Sequence, residues 1–288
     1  MNPFNQQRFP NTANRMRRVL SSIGHEALSQ ITELVAAIRF LTVVPIPDPG
    51  RLFRRQEDQI TRPATPSFGL GSGYFPLVGL LLALLLSLLV VVLERFLPSL
   101  ALSALLVVVL VLLTGGLHLD GLMDTCDGLF GGGTRERRLE IMQDSRLGSF
   151  AVLGGVCALL LKFAFFASLQ GSVLIPALLI ALPTSRWTMV LTLSVFPSAR
   201  STGLGATFRQ VITHGRLVLA GLIALIIALV FGHLVGLVVW VVATLIAVAV
   251  AFWIMRRLGG LTGDTYGAIE EVAEVVALLM LVLLQSRL

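Results

Sequence analysis

Charged side chains are scarce in this sequence of 288 residues: Asp, Glu, Lys and Arg together make up 13% of it. A soluble globular domain carries about 25%, so this composition excludes an ordinary soluble domain. Lysine is nearly absent, because Lys162 is the only one in the chain. Cysteine is limited to Cys126 and Cys157, which excludes a secreted scaffold held together by disulfide bonds.

Hydrophobic residues make up 56% of the chain, and the mean hydropathy is +0.88. We expect an all-α fold, a polytopic integral membrane helix bundle of about seven transmembrane helices, in the ranges 72–93, 99–117, 148–169, 173–195, 217–234, 236–254 and 266–285. The segment 31–46 is shorter and ends at two prolines, so it predicts an interfacial or re-entrant helix. We expect residues 1–30 to form a flexible basic extension and residues 31–288 to form a single transmembrane catalytic domain.

Arginine is distributed unevenly among the loops. With a cytoplasmic N-terminus, 18 of the 21 arginines lie inside, as the positive-inside rule requires. The long polar loops then all face the cytoplasm, which favours chemistry at one face of the membrane, whereas a transporter needs access from both faces. The net charge of +6 suits the lipid bilayer and phosphate; we infer no nucleic acid partner.

The most informative stretch is HLDGLMDTCDG, residues 118–128, directly after an apolar run. On a helix, Asp120, Asp124 and Asp127 fall within about 60° of arc. Three carboxylates at a membrane edge repel one another unless a cation lies between them, and Mg²⁺ prefers oxygen ligands. The stretch therefore predicts a Mg²⁺ site that handles phosphate, with a solvated acidic turn as the alternative. His118 is a candidate general base, or else a capping or supporting group.

A second polar stretch, DSRLGS, precedes the next apolar run. Asp144 is a candidate further metal ligand, and Arg146 a candidate for binding phosphate. The alternative is a cap for the following helix.

A glycine-rich turn, GGLTGDTYG, leads into the last apolar helix. Gly263 and Thr265 lie where backbone N–H groups at a helix start bind anions. Asp264, Glu270 and Glu274 offer oxygen ligands for a second metal ion. The alternative is ordinary acidic charge at a helix N-terminus.

Two cations lie inside apolar runs. Burying Lys162 or Arg186 costs roughly 2.5–3.5 kcal/mol even on the mildest scale, so each needs an acidic partner or a polar cavity. They are candidates for substrate binding, or else for a structural ion pair with Glu270 or Glu274.

The loop ARSTGLGATFR mixes glycine with arginine. Gly203 and Gly205 allow close backbone approach to a nucleotide, and Arg200 supplies positive charge. A plain inner-face loop with positive-inside arginines is the alternative.

The sequence closely resembles the cobalamin (cobamide) synthase family, adenosylcobinamide-GDP ribazoletransferase. The match runs in order from about Ile38 to the C-terminus, and six stretches carry it. They are LLTGGLHLDGLMDTCDGLFGG, RRLEIMQDSRLGSFAVLG, LLLKF, the pair Arg186-Trp187, ARSTGLGATF and GGLTGDTYGAIEEVAE. The resemblance implies an inner-membrane transferase that joins adenosylcobinamide-GDP to α-ribazole, or its 5′-phosphate, and releases GMP with Mg²⁺. It also implies that Asp120, Asp124 and Asp127 hold the metal, with Asp144 or Asp264 as further ligands.

Two other classes remain open on the residues alone. One is another Mg²⁺-dependent membrane phosphotransferase or prenyltransferase, although its aspartate spacings differ. The other is an ion-coupled transporter with a relay through Lys162, Arg186 and Glu270. A homo-oligomer, or a complex with other enzymes of nucleotide-loop assembly, is also left open.

Overall fold

A computed structural model describes residues 12–47, 67–169, 171–200 and 212–288. Within these ranges the fold is all-helical, with nine α-helices and no extended strand. The helices are α1 (Thr12–Leu41), α2 (Phe75–Leu93), α3 (Ser99–Thr114), α4 (Leu117–Gly131), α5 (Arg135–Ile141), α6 (Ser149–Ser168), α7 (Leu174–Val195), α8 (His214–Leu258) and α9 (Gly263–Leu284). Short 3₁₀ turns cover Ser67–Tyr74, Gly171–Val173 and Gln285–Arg287.

The apolar helices make this a membrane protein. By length and composition, four helical segments among the described residues can cross a bilayer, at Gly71–Leu93, Ser149–Ser168, Gly171–Val195 and His214–Leu258. The pair α3 and α4 gives a fifth if it counts as one bent span. All seven predicted runs are helical. The last of them, in α9, carries three glutamates. The two runs in α8 are separated by a kink at His233.

Helix α7 lies at the centre of the bundle. Its apolar window is 83% buried, against 28–44% for the other three candidate spans. Gly79 of α2 packs directly on the α7 backbone, because a Cβ there would lie 2.5 Å from the Leu182 carbonyl oxygen. Because α7 is surrounded by other helices, polar side chains on it can contact several of them inside the bundle.

Helix α8 is a hairpin of two limbs. Its 45 residues would measure about 68 Å if straight, more than twice the ~30 Å hydrocarbon core. The backbone leaves helical geometry at His233 (φ 48°, ψ −126°), and Gly236 then lies against Ala228, where a Cβ would come within 1.8 Å of the carbonyl oxygen. Trp187 of α7 contacts both limbs, at Gly221 and at Thr244. The predicted break between two spans is therefore a tight turn.

The chain bends by 90° between α3 and α4. Gly115 and Gly116 both have positive φ, 62° and 69°, a conformation that favours glycine. Their N–H groups donate to the carbonyls of Leu112 and Val111, which ends α3. The predicted span 99–117 thus stops at Thr114, and the acidic stretch lies on a separate helix, α4, outside the four segments that can cross a bilayer by themselves.

Helix α1 is longer than the predicted interfacial segment. It starts at Thr12, inside the range expected to be a flexible extension, and it ends at Leu41 instead of continuing to residue 46. Glu33 anchors it to α8 through an ion pair with Arg216, at 2.8 Å. Residues 1–11 lie outside the described part of the chain, and the division into two domains stays a prediction.

Gly236→Ala tests the hairpin. The added methyl meets the Ala228 carbonyl, and we expect a loss of about 1–3 kcal/mol from overpacking, measured as a lower thermal unfolding midpoint in detergent. Gly215→Ala in the same helix is the matched control, because its methyl would meet only the Thr213 hydroxyl at 3.8 Å. Equal midpoints for the two variants would contradict the hairpin.

Candidate active site

The acidic helix α4 and the start of α9 touch backbone to backbone. A Cβ on Gly121 would lie 2.6 Å from the Asp264 carbonyl oxygen, and one on Gly267 would lie 3.1 Å from His118. Glycine at both positions lets the two helices approach this closely. The contact brings Asp120 from one predicted motif beside Asp264 from the other.

A recess of about 100 Å³ lies at this contact. His118, Asp120 and Asp264 supply its polar lining. Its apolar walls include Phe40, which belongs to none of the motifs described above, and Met189 of α7. Charges beside apolar walls interact more strongly than charges in bulk water.

The carboxylates at this end of the bundle repel one another. Burial raises the pKa of Asp124 to about 6, and the charges of Asp120, Asp264 and Asp127 act in the same direction. Burial also raises the pKa of Asp264, while the charge of Arg200 lowers it. A cation bound here would relieve this repulsion. No group of three or more His, Cys, Asp or Glu side chains in the described ranges is spaced to hold a metal ion by itself.

Arg200 is held near Asp264 by a short backbone pairing. The Ala199 N–H donates to the Leu261 carbonyl, and the Leu261 N–H donates to the Pro197 carbonyl, both at 2.8 Å. Arg135 of α5 also bridges the two segments, because it donates to the carbonyls of Leu258 and Ala199. The first two residues of the glycine-rich loop, Ala199 and Arg200, therefore lie beside the glycine-rich turn. Gly203 and Gly205 lie outside the described residues.

Thr265 has a structural role in the turn. Thr262 and Thr265 form a capping box, in which each side chain bonds the backbone of the other at the start of α9. The predicted substrate contact of Thr265 is replaced by this cap, because its hydroxyl is buried and engaged. Gly263, in contrast, lines the recess.

His118 is oriented by a buried carboxylate. Its Nδ1 lies 3.0 Å from Glu270 Oε2, and both side chains are almost fully buried. Since a carboxylate only accepts hydrogen bonds, the tautomer that carries its proton on Nδ1 suits this contact, and Nε2 is then the acceptor of the ring. Nε2 is buried without a hydrogen-bond partner among the described residues.

Glu270 belongs to a buried ion network that joins α6, α7 and α9. Arg186 lies 2.8 Å from Glu270 and 2.5 Å from Glu274. Lys162 lies 2.7 Å from Glu271 and 2.8 Å from Glu274. Each buried charge therefore has an opposite charge beside it, as buried charges require.

This network corrects four predicted roles. Glu270 and Glu274 are not metal ligands in this structure, because Arg186 and Lys162 neutralise them. Lys162 and Arg186 are not free to bind substrate, because the same carboxylates engage them. The alternative of a structural ion pair with Glu270 or Glu274 is confirmed. Glu271 is a partner that the sequence reasoning missed.

Asp127 caps a helix. Its two carboxylate oxygens accept the N–H groups of Gly148 and Ala151, at 2.6 and 2.8 Å, at the start of α6. This contact corrects its predicted role as one of three metal ligands, since both of its carboxylate oxygens already accept backbone N–H groups. Gly148 is required there, because a Cβ would lie 2.5 Å from the carboxylate.

Asp144 and Arg146 pair with each other away from the recess. The Arg146 guanidinium donates to both Asp144 oxygens, and the Arg146 side chain is 87% exposed. These hydrogen bonds lower the pKa of Asp144 to about 2. The structure therefore does not bring Asp144 into a metal site, and the phosphate-binding role of Arg146 stays a prediction.

Comparisons with known proteins agree with the resemblance. A family model described as Cobalamin-5-phosphate synthase matches residues 33–282. The chain is 38% identical over 257 residues to the adenosylcobinamide-GDP ribazoletransferase of Desulfitobacterium hafniense, covering 88% of this chain and 97% of that protein. The enzyme of the same name from Desulforamulus reducens is 37% identical over 256 residues, covering 88% and 98%. No solved structure matches.

Glu274→Gln tests the ion network. The change leaves two buried cations short of one carboxylate, and we expect it to cost about 3–5 kcal/mol, seen as a marked fall of the thermal unfolding midpoint in detergent. Glu140→Gln is the control, because its pair with Arg137 is exposed and contributes about 0–1 kcal/mol.

Lys162→Met combined with Glu271→Gln removes one charge of each sign, so we expect this double variant to lose less stability than Lys162→Met alone. A Glu274→Gln protein as stable as the Glu140→Gln control, or a double variant that is no better than the single one, would count against the network.

Proposed function

Since the chain belongs to the cobalamin-5-phosphate synthase family, we propose that it is a transferase that joins adenosylcobinamide-GDP to α-ribazole, or to its 5′-phosphate, in cobalamin biosynthesis. The observation that carries this proposal is the recess in which His118, Asp120 and Asp264 meet. These groups provide a proton acceptor and carboxylates at one place, as attack by a hydroxyl on an activated diphosphate requires.

The reaction exchanges one phosphoester bond for another. The 3′-hydroxyl oxygen on the ribazole ribose attacks the phosphorus that is attached to cobinamide. The bond from this phosphorus to the GMP oxygen breaks, so GMP leaves with the bonding electron pair. The activated phosphate becomes the bridging phosphodiester of the product, and no covalent enzyme intermediate is needed.

Asp120 and Asp264, with Asp124 close by, fit a Mg²⁺ ion by the chemistry of their oxygen donors. Mg²⁺ is usually held by one or two carboxylates together with substrate phosphates and waters, so the absence of a complete protein cage in the described residues is compatible with it. The ion, when bound, would neutralise charge on the diphosphate. Burial, and after it the charges of Asp120, Asp264 and Asp127, raise the pKa of Asp124, and a bound cation would offset both effects.

His118 is the residue we assign to the acceptor of the hydroxyl proton. Glu270 holds Nδ1 at 3.0 Å, which leaves Nε2 in the form that takes a proton. Arg186 lies 2.8 Å from the other oxygen of Glu270, Oε1, and so holds this carboxylate in place beside the ring. Arg200, near Asp264, is placed to neutralise phosphate charge.

We assign the active site to the cytoplasmic face of the cell inner membrane. The supporting feature is the arginine asymmetry of the loops. Arg135, Arg256 and Arg257 lie at the same end of the bundle as α4 and the recess. Soluble nucleotide substrates and products would then meet the enzyme where they are made.

Asp120→Asn and Asp124→Asn test the carboxylates. We expect each change to lower GMP formation by about 100-fold or more, in detergent with Mg²⁺ and without any membrane gradient, while the protein is purified in normal amount. Asp144→Asn is the matched control, because Asp144 pairs with Arg146 outside the recess, and we expect its rate to stay within about twofold of the wild type. Near-normal rates for the first two variants at saturating Mg²⁺ would reject the metal role.

Thiol labelling tests the orientation. In a protein without Cys126 and Cys157, we expect Thr134→Cys at the start of α5 to react with an impermeant reagent only after the cells are opened. Arg95→Cys, in the short connection between α2 and α3, is the comparison and should react in intact cells. The opposite pattern would place the active site outside.

A further inference from the structure

A second and larger depression lies on the other side of Asp120. This groove has a volume of about 660 Å³ and occupies the inside of the 90° bend between α3 and α4. Its polar lining includes Thr42, Thr114 and Asp120, and its apolar lining includes Phe40, Val43 and Leu119. Asp120 and Phe40 therefore belong both to the groove and to the smaller recess.

The groove is a built feature of the backbone. The Val43 N–H donates to the Leu113 carbonyl at 2.9 Å, which ties the segment after α1 to the end of α3. Gly115 lets the chain turn at this point, and a Cβ on it would lie 2.7 Å from the Val43 side chain. The two walls are thus held at a fixed separation by a hydrogen bond and by a close contact.

The two depressions differ in what they can hold. Ligand pockets commonly enclose about 300–1,000 Å³; the groove lies in this range, whereas the recess, at about 100 Å³, admits only a small part of a molecule. One of the two substrates carries a corrin macrocycle, which is broad and flat, with apolar faces and amide groups around its rim. Apolar walls match the faces of the ring. The Thr42 and Thr114 hydroxyls donate to the carbonyls of Ile38 and Leu110, so their oxygens remain to accept from amide N–H groups at the rim.

The position of Asp120 between the groove and the recess indicates how the substrate would be oriented. A macrocycle in the groove would extend its phosphate-bearing side chain past Asp120 toward His118 and Asp264. Only the attacking hydroxyl of the second substrate would then need to enter the recess, beside His118.

We propose that the groove at the α3–α4 bend binds the corrin macrocycle, while Asp120 marks the point at which the diphosphate begins. This inference rests on the proposed function. A lipid acyl chain is the competing occupant, because Val43 is 59% exposed and the groove is open to the outside.

Val43→Trp, which fills the groove, is the main test. We expect the KM for adenosylcobinamide-GDP to rise by about tenfold or more while the KM for α-ribazole stays within about twofold. Leu112→Trp is the control, because Leu112 is equally exposed on α3 and lies outside the groove lining, and neither KM should change. Thr114→Val, which keeps the side-chain volume, should raise the corrinoid KM alone even if the tryptophan variant does not fold.

A direct titration with cobinamide, followed by corrin absorbance on the full-length protein, separates this inference from the proposed function. If the wild-type protein binds cobinamide and Val43→Trp does not, the groove assignment holds even in a preparation that releases no GMP. If turnover is normal and neither groove variant changes the corrinoid KM, the assignment is overturned and the proposed function stands. Equal increases in both KM values, or loss of co-purified lipid with an unchanged corrinoid KM, would also overturn it.

Discussion

The buried ion pairs between α9 and its neighbours are the constraint on which the rest of the structure depends. Glu270 and Glu274 cannot lie in an apolar bundle without cations beside them, and Arg186 and Lys162 cannot lie there without carboxylates. Their pairing at 2.5–2.8 Å fixes α9 against α6 and α7. Because Glu270 also lies 3.0 Å from His118, the same network sets the orientation of the ring at the recess.

Close backbone packing then converts this fixed frame into a site. Gly121 and Gly267 let α4 lie directly on α9, so carboxylates from two distant stretches of sequence share one depression. The acidic motif is divided by this arrangement. Asp120 lines the recess, whereas both oxygens of Asp127 accept backbone N–H groups at the start of α6. Aspartates with the same helical spacing therefore have two different roles, one at the candidate site and one in capping a helix.

The helical class could be predicted from the sequence, because it follows from the length of the hydrophobic runs. Acidic partners for Lys162 and Arg186 could also be predicted, because a buried charge is costly wherever it lies in the bundle. It did not reach the role of Asp127, since helical spacing gives a direction on α4 but not which helix lies there. Glu271 was missed because it is adjacent to Glu270 and its outward or inward direction depends on the position of α6. The bend had a visible signal in Gly115 and Gly116, which the long apolar run obscured.

The separation of these ion partners along the chain has a consequence for biosynthesis. Arg186 and Glu274 are 88 residues apart, which corresponds to roughly 4–18 s of translation at ~5–20 residues per second. During this interval, α6 and α7 have been made but α9 has not, and two cations await their counter-charges in or near the lipid. The nascent protein must therefore remain beside the insertion machinery, or keep water around these side chains, until its last helix is delivered.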